Sequence, residues 1–132
     1  MFLDRLEGEE KKYFLDLSIC TAKTNGVVEA TEKAIINQYC REMAIDYSID
    51  DVESVDEAVD FFSKSDSWKK NIVIVELIGL GCVDGEFDKT ERDYVESIAE
   101  KIGLGREKVD ILSVDVKEYK KLVKEMCEHL FT

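Results

Sequence analysis

The sequence predicts an all-α protein built from two related helix-turn-helix units, and three observations support this prediction. The 132 residues include no proline and only 7 glycines, which suits long helices joined by short connections. Apolar residues recur at helical spacing along most of the chain. Two Asx-Gly pairs, Asn25-Gly26 and Asp84-Gly85, interrupt these segments at corresponding places. We therefore expect no β-sheet.

The first half of the chain has the pattern of three helices. Apolar residues recur from Lys12 to Lys23, and this segment stops at Asn25-Gly26. A second helix is predicted from about Ala30 to Met43. After an acidic connection, Ser54-Val55-Asp56-Glu57 forms a capping-box pattern that opens a short helix through Phe62.

The second half begins with a helix that Ser67 caps and that includes the apolar run to Val83. Asp88 and Glu91 have the spacing of a capping box, and the helix that they open is predicted to reach Ile102. Gly103 then ends it.

Two further helices are predicted towards the C-terminus. A short one covers about Glu107 to Leu112, and Asp115 caps the last one. The last helix has the clearest apolar stripe in the chain: Tyr119, Leu122, Val123, Met126, Cys127 and Leu130. We expect this stripe to pack back on the body of the protein.

An internal repeat relates the two halves. A shift of 59 positions (84 − 25 = 59) places Asn25-Gly26 on Asp84-Gly85, Thr31-Glu32 on Thr90-Glu91, Ile36 on Val95 and Met43 on Ile102. We interpret the repeat as a duplication within one domain, residues 1–132. Its parts are unit one (about 10–45), a connecting helix (about 52–65), unit two (about 67–104) and C-terminal helices (about 106–131).

The charge of the chain limits its partners. The net charge is −12, from 30 acidic and 18 basic residues. A nucleic-acid partner requires a basic face, and the lysine cluster from Lys117 to Lys124 is offset by Glu118, Glu125 and Glu128. We therefore expect no nucleic-acid binding, and instead an attraction for cations or for a basic protein surface.

The sequence also predicts a cytoplasmic protein that does not span a membrane. No secretory signal follows Met1. The longest apolar run, Ile72 to Val83, contains Glu76 and is shorter than the roughly 20 residues that cross a bilayer. We expect Glu76 to belong to a narrow polar stripe near Lys69 that reaches solvent. The four cysteines form no Cys-x-x-Cys pair, so we interpret them as reduced core residues.

The segment between Val83 and Glu91 is the strongest candidate for a site. Four carboxylates, Asp84, Glu86, Asp88 and Glu91, surround Gly85. Oxygen-rich clusters suit hard cations, although this spacing is not that of an EF-hand. The corresponding loop of unit one offers a weaker pair, Glu29 and Glu32, beside Asn25.

A structural interpretation of the same acids stays open. Asp88 and Glu91 can cap the following helix, and acids favour the positive end of its dipole. Asp84 and Glu86 have no evident capping role, and a bound cation would relieve the repulsion between them.

The sequence offers little support for a dinucleotide-binding site or a catalytic site. Gly79-Leu80-Gly81 followed by Gly85 departs from a dinucleotide fingerprint by one position, and no βαβ pattern accompanies it. The single histidine, His129, lies near the end of the last predicted helix and offers no catalytic arrangement. We therefore expect no enzymatic activity.

The segment from Val75 to Glu91, followed by Ile98 to Leu104, resembles the second half of a tellurite-resistance TerB-like domain, and Leu17 to Glu32 is similar to its opening hairpin. Related modules occur in DjlA-type membrane-linked co-chaperones, but this sequence has no J-domain signature. The resemblance implies a compact bundle of about seven helices and a role in stress resistance. It also implies metal ligands near the two turns, where Asn25 departs from the usual aspartate.

Two functional hypotheses follow. In the first, the chain is a non-enzymatic, stress-associated module that binds a divalent cation (calcium, magnesium, manganese or zinc) at Asp84 to Glu91 and engages a protein partner. In the second, it is purely a protein-interaction or scaffold domain, and its acids serve as helix caps and for solubility.

Overall fold

The computed structural model describes residues 1–52, 55–83 and 87–132, with the side chain of Asn25 left aside. Within these ranges the chain is all-helical and contains no β-strand, as predicted. The α-helices are α1 (Glu9–Ala22), α2 (Ala30–Met43), α3 (Val55–Ser63), α4 (Ser67–Gly81), α5 (Lys89–Ile102) and α6 (Arg106–Leu130). Short 3₁₀ turns cover Leu3–Arg5, Lys23–Asn25 and Ile49–Asp51. None of these helices is both long enough and apolar enough to cross a bilayer.

Helices α1 and α4 form the centre of the bundle. Helix α1 contacts α2, α3, α4 and α5, and α4 contacts α3, α5 and α6. Six consecutive residues of α1, 14–19, are buried. A helix enclosed on all sides has no need of a polar face, and this explains why α1 and α4 are only weakly amphipathic.

The bounds of the helices repeat with the shift that the sequence indicated. Helix α2 shifted by 59 positions (89 − 30 = 59) coincides with α5, and α1 shifted in the same way ends with α4 at Gly81. The ends of α2 and α5 also match, because Ala44 and Gly103 are both in the left-handed conformation. The amide of Ile45 bonds to Cys40 O at 3.0 Å, and that of Leu104 bonds to Ala99 O at 2.8 Å.

The matched helix ends provide a direct test. Ala44 has a φ of +53°, in a region that costs roughly 1 kcal/mol for a residue with a side chain, whereas Gly103 adopts +97° without a Cβ. We expect Ala44→Gly to raise the free energy of unfolding by about 0.5–1 kcal/mol and Gly103→Ala to lower it by about 1 kcal/mol. Urea denaturation of the two variants measures both changes. Changes of the same sign would contradict this account.

The C-terminal region differs from the prediction of two helices. Residues 106–130 form one continuous helix of 25 residues, so Asp115 lies exposed inside α6 instead of capping a new helix. No glycine or proline interrupts this segment, and the Ser113 hydroxyl donates to Val109 O at 2.7 Å within the helix. A capping-box pattern without a helix breaker before it did not start a helix here.

The predicted packing of the last apolar stripe is also wrong. Val109 and Val116 are buried, but every residue from Lys121 to Thr132 is exposed. We call residues 117–132 the α6 extension. Five of its apolar side chains form what we call the exposed stripe, and they are 40–67% exposed: Tyr119, Leu122, Val123, Met126 and Leu130. Cys127 is exposed as well, so its interpretation as a core residue was wrong.

Candidate functional site

The predicted cation site lies in the connection between α4 and α5. Helix α4 ends at Gly81 and α5 begins at Lys89. Asp84 and Glu86 lie outside the described residues, so the structure places only Asp88 and Glu91 of the four candidate ligands. The interpretation of the complete loop stays a prediction.

Asp88 is the N-cap of α5, as predicted. Its Oδ1 accepts a hydrogen bond from the Thr90 amide at 2.6 Å, and its carbonyl oxygen accepts one from the Arg92 amide at 2.7 Å. An N-cap carboxylate both satisfies an amide without a partner in the helix and faces the positive end of the helix dipole. Asp88 therefore has a structural role that requires no metal.

Glu91 is buried against the end of α4. Only 7% of this residue is exposed, and its Oε2 lies 3.2 Å from the point that a Cβ on Gly81 would occupy. The Phe87 ring lies closer to that point, with Cε1 at 2.5 Å, so only glycine at position 81 allows Phe87 to pack there. Gly81 therefore permits the close approach of Phe87 to the end of α4.

Glu29 and Glu32, the weaker pair of candidate ligands in unit one, also have capping roles. Glu29 is the N-cap of α2, and its amide donates to Glu32 Oε1 at 3.0 Å in a capping box. Glu29 is exposed, whereas only 3% of Glu32 is exposed. Among residues 1–52, 55–83 and 87–132, no group of three or more histidine, cysteine, aspartate or glutamate side chains is arranged to hold a metal ion.

A hydrogen bond between α1 and the segment that follows α2 was not predicted from the sequence. Asp16 is fully buried, and its Oδ1 accepts a hydrogen bond from the Tyr47 hydroxyl. Nothing in the described part of the chain donates to its Oδ2. Burial and this hydrogen bond raise the pKa of Tyr47 well above its usual 10. Burial is also the main cause that raises the pKa of the nearby Cys20 thiol, to which the charge of Asp16 adds.

Glu76 has a different role from the one that its position suggested. It is 3% exposed, and its Oε1 accepts from the Phe2 amide at 3.0 Å and lies 3.1 Å from the Met1 amino group. Lys69 instead pairs with Glu10 at 2.6 Å. Glu76 therefore anchors the segment before α1, whose Leu3 is fully buried, and it does not belong to a stripe that reaches solvent.

An apolar groove lies beside the base of the α6 extension. It has a volume of about 390 Å³ and is lined by residues of the N-terminal segment, α4 and α6: Met1, Phe2, Asn71, Ile72, Val75, Leu112, Asp115, Val116 and Tyr119. Asn71 Oδ1 is buried and accepts no hydrogen bond from the described residues. Because Tyr119 belongs to both the groove and the exposed stripe, the two form one continuous apolar surface.

Comparisons with known proteins do not add to this description. No family model, curated protein or solved structure matches the chain.

Proposed function

We propose that this chain is a non-enzymatic, TerB-like protein-interaction module and that the exposed stripe of α6 is its interaction face. The observation that supports this proposal is the extent of exposed apolar surface on α6. Five stripe residues and Phe131 are 40–81% exposed. With roughly 150–250 Å² for a large side chain, they present on the order of 700 Å², more than the apolar patch of a typical monomer.

The chain's own internal symmetry supports the proposed duplication of a helix-turn-helix unit. The shift of 59 positions relates α2 to α5, the capped starts of these helices and their left-handed ends. Glu10 and Lys69, which the same shift relates (69 − 10 = 59), form an ion pair at 2.6 Å. Contact between corresponding residues is expected when two units are related by an approximate two-fold axis. These features support a duplicated hairpin, and we propose the TerB-like kinship and a role in stress resistance on the sequence resemblance.

The remaining part of the proposal is whether the Asp84 to Glu91 loop also binds a cation, for which the support is the four carboxylates of the sequence. The role of Asp88 as a cap favours interaction without metal, because this carboxylate needs no cation to explain its position. Titration with calcium, magnesium, manganese and zinc, followed through the amide shifts of residues 87–91, tests this part. Localised shifts that Asp84→Asn with Glu86→Gln abolishes would support a site, and the absence of such shifts would exclude one.

The interaction face is tested by capture of partners from cells that express the chain. We expect Val123→Asp with Met126→Asp to abolish capture, because the two charges would have to be buried at the interface. Ile111→Asp with Val114→Asp is the matched control, since these residues are 51% and 56% exposed on the same helix but outside the stripe. Asp84→Asn with Glu86→Gln is expected to leave capture intact. Equal capture by the stripe and control variants would overturn the assignment of this face.

A further inference from the structure

We infer that the exposed stripe is covered by a second copy of this chain, through antiparallel pairing of two α6 extensions. The inference rests on the proposed interaction face and names its partner. Four features of the described residues support it: the spacing of the stripe, the position of the body, the distribution of charge and the area of the surface.

The exposed stripe continues the row with which α6 packs on its own body. Positions 109, 112, 116, 119, 123, 126 and 130 alternate in steps of three and four, which is the a/d spacing of a coiled coil. Val109 and Val116 are buried against the body, and Leu112 is partly buried there. Tyr119, Val123, Met126 and Leu130 continue this row beyond the body. A row with this spacing fits a further helix along the same face.

The body of the protein, by which we mean α1 to α5, determines the direction of that further helix, because α6 packs on α4 and α5. It occupies the row's face of α6 as far as Val116, and Lys120 makes a last contact there by donating to Gly79 O at 3.1 Å. In a parallel pair, both bodies would lie between the two helices at the same end and would collide. In an antiparallel pair, the bodies lie at opposite ends, and each helix fills the space in front of the other's extension.

The charge of the extension favours the same direction. Residues 117–124 contain four lysines and one glutamate, a net charge of +3, whereas residues 125–132 contain two glutamates and no lysine or arginine, a net charge of −2. Antiparallel pairing places each basic half beside an acidic half and also opposes the two helix dipoles. The remainder of the chain has a net charge of −13 (−12 − 1 = −13), so a pair joined through the extensions keeps the acidic bodies apart.

The area of the exposed stripe and the position of the groove also fit a second copy. A standard interface buries about 800 Å² of polar and apolar surface on each partner. The exposed stripe and Phe131 present on the order of 700 Å² of apolar surface on each copy, which is close to that area. Pairing Tyr119 with Leu130 and Val123 with Met126 buries all four side chains over a length of about 17 Å, from a rise of 1.5 Å per residue. In this register the partner's Leu130 and Phe131 reach the groove beside Phe2 and Ile72.

Sedimentation equilibrium of the complete chain at roughly 100 μM tests the pairing. We expect a mass twice the 15.1 kDa of one copy. Val123→Asp with Met126→Asp is expected to return the mass to 15.1 kDa, whereas Ile111→Asp with Val114→Asp is expected to leave the dimer intact. Circular dichroism verifies that each variant is folded. A monomeric wild-type chain, or larger assemblies unaffected by the stripe variant, would overturn the inference.

Disulfide trapping tests the direction. In a Cys127→Ser background, an equimolar mixture of Tyr119→Cys and Leu130→Cys chains is oxidised. The antiparallel pair predicts mixed 119–130 disulfides, because these positions face each other within the reach of a disulfide. Predominant 119–119 and 130–130 disulfides would indicate a parallel pair and overturn the assignment.

The two proposals fail in different ways. If the wild-type chain is monomeric but the stripe variant still abolishes capture of another protein, the interaction face remains and the second copy is excluded. If the chain dimerises and the stripe variant remains dimeric, the second copy is excluded from the stripe, and equal capture by the stripe and control variants would then overturn the interaction face as well.

Discussion

Replacing Tyr47 with phenylalanine is expected to lower the free energy of unfolding by about 2–3 kcal/mol, a large effect for the loss of one oxygen atom. The Tyr47 hydroxyl donates to Asp16 Oδ1. Asp16 is fully buried, and its Oδ2 has no donor within the described ranges. Without Tyr47, neither oxygen would have a donor there, and a buried carboxylate without hydrogen bonds costs far more than an exposed one. Urea denaturation at neutral pH measures the difference.

A double-mutant cycle separates this cause from a general loss of packing. Asp16→Leu with Tyr47→Phe removes both polar partners, so it is expected to be more stable than Tyr47→Phe alone. Tyr13→Phe is the control, because Tyr13 is partly exposed and contacts Phe61 through its ring, so its variant should differ by less than about 0.5 kcal/mol. A double variant at least as unstable as the sum of the single variants would contradict the account.

Strong destabilisation above about pH 10 is the second large effect that we expect. Burial is the main cause that raises the pKa of Tyr94 to about 12, and it also raises the pKa of Tyr39 well above 10. The pKa of Tyr47 is raised in the same direction. Between pH 10 and about 12 the unfolded chain therefore loses tyrosine protons that the folded chain retains. Stability is unaffected by these groups below pH 10 and falls as the pH rises through this range.

Urea denaturation at pH 8, 10 and 11, with absorbance at 295 nm, measures this effect. Tyrosine ionisation should coincide with the loss of helical circular dichroism. Tyr94→Phe should reduce the slope of stability against pH, since it removes one of the groups responsible. Burial also raises the pKa of the Cys20, Cys40 and Cys82 thiols above 9.0, which adds a loss of the same sign from a slightly lower pH. Complete ionisation of the tyrosines near pH 10 in a folded chain would contradict the account.

Local patterns predicted the helices well where the determinants are local. Helix α2 was predicted to its end residues, and Asp88 was predicted as the N-cap of α5, because caps and helix ends depend on residues within one or two turns. The number of helices was less predictable. Asp115 fits a capping box, yet the chain does not leave the helical conformation before it, so α6 is one helix.

The features that the sequence did not predict depend on contacts between residues that are far apart in the chain. Glu76 was expected to face solvent, but the N-terminal segment covers it and bonds to it from 74 positions away. Asp16 and Tyr47 are 31 positions apart, and no local pattern connects them. The exposed stripe of α6 has the spacing of a buried helix face. Periodicity alone does not distinguish a face that packs on the same chain from a face that packs on another chain. The acidic loop stays a prediction because Asp84 and Glu86 lie outside the described residues.

Hydrogen–deuterium exchange of the α6 extension, measured across a range of protein concentrations, tests the central claim most directly. A helix segment that packs on nothing exchanges rapidly, whereas one that is covered by a second copy is protected. We predict that protection of residues 119–130 rises as the concentration increases from roughly 1 to 100 μM, while protection of α1 and α4 stays constant. Equally fast exchange of residues 119–130 at every concentration would contradict the claim.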